Sequence, residues 1–187
     1  MNSRERLMKT LCGEAVDRPA VCFYEVGGFA VDPDDPDPLN VYNDPSWKPL
    51  LRLAEEETDL IRMRKPIMRP SAQDLRDEFI TVRTATENGS KITRTTLRVG
   101  GRTMTGVTRR DPDIDTIWTL EYMLKDTDDL KAFLKMPDAV FDEEPDVSNL
   151  TAEDAKVGNR GIVMVDVSDP IERVKRLFPM DAFTVIG

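Results

Sequence analysis

Asp17-Arg18-Pro19-Ala20-Val21-Cys22-Phe23-Tyr24-Glu25-Val26-Gly27-Gly28 is the stretch on which the fold turns. Proline biases the residue before it out of the helical basin, so the chain enters this segment extended. Ala20 to Tyr24 is an unbroken apolar run, too short for a helix and the right length for a buried strand. Glu25 follows directly, and a glycine pair then turns the chain. Parallel α/β folds build the rim of a site in this way, delivering a polar side chain at a strand's carboxyl end.

Upstream lies a helix. Ser3 is a suitable N-cap, and Leu7, Met8 and Leu11 recur at helical spacing between Glu5 and Glu14. Gly13 supplies the stop, since a residue without Cβ tolerates the left-handed turn. Downstream, Asp44-Pro45 opens a second helix with Trp47, Leu50, Leu51 and Ala54 on its apolar face, ending at Glu55-Glu56-Glu57 on the solvent side. Asp59 to Lys65 is a second strand, and the strand, helix, strand order makes a parallel βα unit. Alternation sets Arg62 and Arg64 on one face and Met63 on the other. Arg62, Arg64 and Lys65, with Tyr24, are the candidate substrate-binding residues. Guanidinium forks and ammonium groups suit carboxylate or phosphate, although pairing with nearby acidic segments is the plainer use for them.

Gly161 to Val167 is a third strand of the same kind, with Asp166 interrupting its apolar run. A carboxylate inside a strand is costly unless paired, so Asp166 joins Glu25 as a candidate catalytic group. Ser168-Asp169-Pro170 then caps a helix over Ile171 to Phe178.

Between these parallel elements the pattern changes. From Glu78 to Leu120, short β-rich runs are separated by Asn88-Gly89, Gly100-Gly101 and Asp111-Pro112-Asp113. Glycine turns between alternating strands predict an antiparallel meander, inserted at 78–120. Its Arg94, Arg98, Arg102, Arg109 and Arg110 make either an anion-binding patch or partners for the acidic segments. Trp118 and Tyr122 serve either a pocket mouth or apolar packing of the meander. An amphipathic helix follows over Asp126 to Lys135, burying Leu130, Phe133 and Leu134; then come an acidic linker over Asp138 to Asp146 and a short helix to Val157 capped by Thr151.

Composition narrows the function classes. The chain has 187 residues, 40% hydrophobic and 33% charged, with a net charge of -9; it carries no basic footprint for nucleic acid and no apolar run long enough for a membrane helix. No signal peptide precedes the first helix, and a cytoplasmic location follows. Cys12 and Cys22, both in apolar contexts, read as buried free thiols. The prolines and aspartates of Asp32 to Pro38 make a solvated loop; a calcium site there would lack the EF-hand glycine and glutamate offsets. No histidine is present, which removes the commonest general base and metal ligand.

Ser3-Arg4-Glu5-Arg6-Leu7, Gly13-Glu14 and Asp17-Arg18-Pro19-Ala20-Val21 resemble the opening of the uroporphyrinogen decarboxylase superfamily, which includes cobalamin-dependent methyltransferases. Thr103 to Leu130 resembles a segment of its methyltransferase-like members. The resemblance implies a (β/α)8 TIM-type barrel of which this chain holds the N-terminal portion, since a whole barrel takes at least ~200 residues. The apolar ending Phe183-Thr184-Val185-Ile186-Gly187 agrees with a longer protein. The decarboxylases carry an Arg-Gln-Ala-Gly-Arg motif after the first strand and a catalytic aspartate near the end of the second. Tyr24-Glu25-Val26-Gly27-Gly28 and Arg62-Met63-Arg64-Lys65 stand in their places, and of the later Gly-x-Pro-x-Thr-Leu segment only Pro170 matches. The resemblance therefore implies a corrinoid-dependent methyltransferase type rather than a porphyrin-decarboxylating lyase. It implies a small anionic substrate or a corrinoid protein as partner. No cofactor belongs to this stretch itself; zinc and corrinoid would belong to the intact protein, whose His-x-Cys zinc set lies beyond the residues matched here. Alone, three of eight strands leave an open edge, so this stretch is expected to be inactive and to self-associate, with a homo-oligomer as one form. The rival expectation is a free-standing, non-catalytic binding module that works through the meander.

Overall fold

A computed structural model of the chain describes residues 1–29, 36–70, 75–112, 114–167 and 169–186, the last without its side chain. It is a mixed α/β structure whose sheets hold two to four strands, none closed into a barrel. The chain divides into two units, Met1–Arg69 with Pro145–Val167, and Pro70–Glu144 with Ser168–Gly187.

The first unit opens with α1 (Ser3–Leu11). Asn2, rather than the expected Ser3, is its N-cap: the Asn2 side chain accepts from the Glu5 amide while the Glu5 carboxylate accepts from the Asn2 amide, closing a capping box. Gly13 ends the helix at φ +70°, as its sequence position requires. A 3-10 turn (Val41–Asn43) leads to α2 (Trp47–Glu57), which starts later than Asp44-Pro45 suggests because Asp44 ends the preceding turn, its amide donating to the Val41 carbonyl while its carboxylate accepts from the Ser46 amide. Then comes β1 (Leu60–Arg64), followed by β2 (Ile67–Pro70), whose last residue opens the second unit.

The second unit begins with a single helical turn, α3 (Arg76–Phe79), and builds a four-stranded antiparallel sheet in sequence order. Its strands are β3 (Ile80–Glu87), β4 (Ser90–Val99), β5 (Arg102–Arg110) and β6 (Ile117–Glu121). Both tight hairpins have two central residues at positive φ, Asn88 and Gly89 in one and Gly100 and Gly101 in the other. That is the turn whose twist matches the flanking strands. Gly100 is also hemmed in, since a Cβ there would lie 3.0 Å from the Lys135 side chain and 3.1 Å from Ala132 Cα. One face of β4 and β5 presents Leu97, Val99 and Met104 to Leu124, Ala132, Met136, Val140 and Phe178. α4 (Thr127–Phe133), capped by Asp126 through two amides, supplies Ala132 to this core. Leu134, read as buried, is exposed, because the helix ends at Phe133 and Leu134 already lies in its C-cap. Trp118, a candidate for apolar packing, is also exposed.

The acidic stretch read as linker contains a 3-10 turn (Asp138–Val140) and β7 (Glu143–Asp146), which pairs with β2. α5 (Ser148–Val157) starts before Thr151, whose hydroxyl donates to the Val147 carbonyl and caps nothing. β8 (Gly161–Val165) pairs in parallel with β1, Leu60 opposite Gly161 and Arg64 opposite Val165. α1 and α5 pack on β8. The chain closes with α6 (Pro170–Lys175), shorter than the expected Ile171 to Phe178, and α7 (Met180–Ile186).

The expected first strand is not one. Ala20 to Phe23 has no regular structure, and Phe23 to Val26 is a turn closed by the Val26 amide on the Phe23 carbonyl at 2.8 Å. Val21 meets β1 at one end, where the Asp59 amide donates to its carbonyl at 2.7 Å, and Gly28 at the other, where its carbonyl accepts from Met63 at 2.8 Å. The Val21 amide is taken by the Asp59 carboxylate at 3.0 Å. A side-chain acceptor and a turn thus replace the ladder. Val21, Phe23 and Tyr24 are exposed in consequence. Cys12 is exposed and Cys22 half-buried, against the expectation of two buried thiols. The start of the Asp32 to Pro38 loop lies outside the described residues.

Candidate functional site

The first unit holds a cleft of about 430 Å³ between α2, β1, α5 and the turn after Tyr24. β1 aims two arginines into it, on one face as alternation requires. Arg62 donates to the Gly27 carbonyl at 3.0 Å and to Glu55. Arg64 donates to the carbonyls of Gly28 at 2.8 Å and Met63 at 2.9 Å, and to Glu153 at 2.7 Å. Glu153, on α5, lies 3.9 Å from the Arg62 Nε as well, so it faces both guanidiniums. All three of these side chains are more than four-fifths buried.

Gly27 lines the cleft's second wall, and Gly28 supports it. Gly27 sits at φ +73°, and a Cβ on Gly28 would collide with the Tyr24 backbone. Only glycine lets the turn bring two carbonyls onto Arg62 and Arg64.

The other sequence candidates are placed differently. Tyr24 and Glu25 sit on the exposed turn, joined by a long hydroxyl contact of 3.4 Å, with the Tyr24 ring tilted against Phe29. Asp166 is one residue beyond β8 rather than inside it. Its amide donates to the Arg64 carbonyl at 2.8 Å and its carboxylate lies 3.5 Å from the exposed Lys65 ammonium. That position lets water and Lys65 solvate the charge, so the cost expected for a carboxylate inside a strand does not arise. Among the described residues, no hydrogen bond or ion pair joins Glu25 to Arg62, Arg64 or Asp166. The structure thus brings Arg62 and Arg64 together, holds Lys65 with Asp166 beside them, and leaves Tyr24 with Glu25 apart.

Behind the cleft is a cluster the sequence reading missed. Asp59 is completely buried and accepts from Arg6 at 2.5 Å, from Arg18 at 2.9 and 3.3 Å, and from the Val21 amide. Arg6 also grips Asp17 at 2.8 and 2.9 Å. Burial pushes the Asp59 carboxyl up, yet the Val21 amide, Ser3, Arg18 and Arg6 outweigh it and hold it below the usual carboxylate range. The Arg6 hydrogen bond does the same for Asp17. Arg4, from the same opening motif, forks onto Asp154 of α5 at 2.8 and 3.2 Å.

No protein-family model, curated protein or solved structure matches the chain. No helix among the described residues is long and apolar enough to cross a membrane. No group of three or more cysteine or carboxylate side chains converges there as a metal cage would. With no histidine, an exposed Cys12 and a half-buried Cys22, the donors present do not fit the zinc set that the resemblance implies.

On the meander, Arg102 pairs with Asp126 and Asp129, Arg109 with Asp111, and Arg110 with Asp115. Arg94 and Arg98 have no such partner among the described residues and stand exposed. Pairing with acidic segments thus accounts for part of the basic set only.

Proposed function

We propose that the chain is the N-terminal part of a (β/α)8-barrel enzyme of the uroporphyrinogen decarboxylase and methyltransferase type, acting on a small anionic substrate by methyl transfer rather than porphyrin decarboxylation. One observation carries the reading. β1 and β8 are parallel, the Gly28 carbonyl accepts from Met63 of β1, and the arginine cleft is built on β1 and α5. Barrel enzymes bind their substrates at the carboxyl ends of such strands.

Decarboxylating an eight-carboxylate tetrapyrrole requires a basic cradle and a placed acid. Here Arg62 and Arg64 already face Glu55 and Glu153, and Glu25, the acid expected at the rim, is exposed on the turn. In this cleft Glu153 is the carboxylate placed to orient or exchange a proton, and Arg62 and Arg64 hold the Gly27-Gly28 wall. The zinc donors of the methyltransferases are not in this chain, and no step here runs through a metal.

The experiment is retention of methylcobalamin by protein made from the complete reading frame that contains this sequence, measured by ultrafiltration. Retention at micromolar pigment supports the reading, and none at any concentration below its solubility removes it. A second reading, a binding module, has its own observation: the meander unit closes a core around Leu97, Met104 and Leu124. Its mark is a purified partner bound by the 187-residue chain without any corrinoid.

A further inference from the structure

Arg52, on α2, lines the cleft beside Ala54 and Glu55. It is the one cation there with no hydrogen bond or ion pair among the described residues. Of the two carboxylates one turn along the helix, Glu56 forms no ion pair with it among the described residues and Glu55 is spent: one Glu55 oxygen is bound to Arg62 and the other to Arg160, at 2.8 Å for the latter. Glu153 is likewise engaged by Arg64 and faced by Arg62. Among the described residues the cleft therefore carries three guanidiniums against two carboxylates, and the positive charge left over sits on Arg52.

The remaining walls are apolar. Val26, Phe29 and Leu51 line the same space, with Phe29 about two-fifths exposed. A volume of about 430 Å³ lies in the range of small-molecule sites. It is too small to enclose a tetrapyrrole.

We propose that this cleft binds a small monocarboxylate with an apolar or aryl body, its carboxylate forked on Arg52 and its body laid against Phe29, Leu51 and Val26. A single negative charge neutralises the cleft. A second would face Glu55 and Glu153 without a cation left to meet it, and like charges at such range repel. A neutral ligand leaves the Arg52 fork unfilled. The proposal rests on reading this cleft as the substrate site, and on nothing about which reaction follows.

The test is an NMR titration of the 15N-labelled full chain with 3-phenylpropionate, its amide and benzylmalonate, repeated on Arg52→Leu and on Lys131→Ala. Arg52 is exposed and makes no hydrogen bond or ion pair among the described residues, so its loss leaves the fold in place. The expected result is saturable shifts at Gly27, Phe29, Leu51 and residue 52 with the monoacid, and affinities lower by about tenfold or more for the amide and the diacid. Arg52→Leu should weaken the monoacid by a similar factor, leave the amide unchanged, and Lys131→Ala should alter neither. Equal binding of acid and amide, shifts confined to other residues, indifference to Arg52→Leu, or no binding at all would overturn the proposal. Methylcobalamin retention is read separately, so a bound monoacid without corrinoid leaves the cleft standing and removes methyl transfer, while the converse removes this proposal alone.

Discussion

Arg6 and Asp59 meet at 2.5 Å in the interior of the first unit, one on the opening helix and the other at the threshold of β1. Arg18 closes on the same carboxylate from the other side, and Asp17 holds Arg6 in place. The opening residues Arg6, Asp17 and Arg18 thus have an architectural role: they tie helix, turn and strand together around Asp59. A buried charge that is paired and hydrogen-bonded on every side is tolerable; the same charge with a partner removed is not.

Asp59→Ala strips the acceptor from the buried Arg6 guanidinium, from the exposed Arg18 and from the Val21 amide. The expected loss is about 3–5 kcal/mol of folding stability. Urea denaturation of variant and wild type measures it, and a loss below about 1 kcal/mol would show that the cluster holds nothing together.

Acid should unfold the first unit over a defined window. Asp59 and Asp17 are held below their ordinary pKa by the contacts just described. Asp146 is lowered to about 2 by the Ser148 amide and hydroxyl and by Arg69. A carboxyl with a lowered folded pKa contributes stability that is complete above its unfolded value, near 3.9, and is lost as the pH falls through the folded value. Urea midpoints should therefore be flat in this respect above about pH 5 and fall between about pH 4 and 2. Asp17→Asn should shallow that fall, and an unchanged slope would contradict the assignment.

Glycine at 28 is a steric requirement of the cleft wall. Gly28→Ala places a methyl into the Tyr24 backbone and must push the Gly27 and Gly28 carbonyls away from Arg62 and Arg64. Amide shifts at Met63 and Arg64 should move while those of the meander stay, whereas a silent substitution would mean that the turn is built differently.

Leu124→Ala tests the meander's core. The side chain is fully buried beside Met104 and Phe178. The expected cost is about 2–5 kcal/mol. Hydrogen exchange should speed up across β4 and β5, and protection unchanged there would show that this cluster is not the core.

The sequence was most legible where local chemistry decides. Asn88-Gly89 and Gly100-Gly101 name their own turn type, Gly13 its helix stop, and β1, β8 and the four antiparallel strands follow from alternation and turn spacing. It was least legible where a distant side chain intervenes. The Ala20 to Tyr24 run has the composition of a strand, but the Asp59 carboxylate takes the Val21 amide and a turn follows at once. Arg62 and Arg64 could be placed on one face, yet nothing local says that Glu153, on another helix far along the chain, meets them. Glu55 looked like a solvent-side helix end and is instead the bridge between Arg62 and Arg160.

The most direct measurement is turnover by the protein from the complete reading frame on two substrates side by side, methylcobalamin with a thiol acceptor and uroporphyrinogen, in wild type and in Glu153→Gln. Demethylation that follows the visible spectrum, falls by about a hundredfold in the variant and is matched by no loss of porphyrinogen carboxylate is the result expected of a placed acid–base carboxylate. Decarboxylation of uroporphyrinogen, or demethylation indifferent to Glu153, would contradict it.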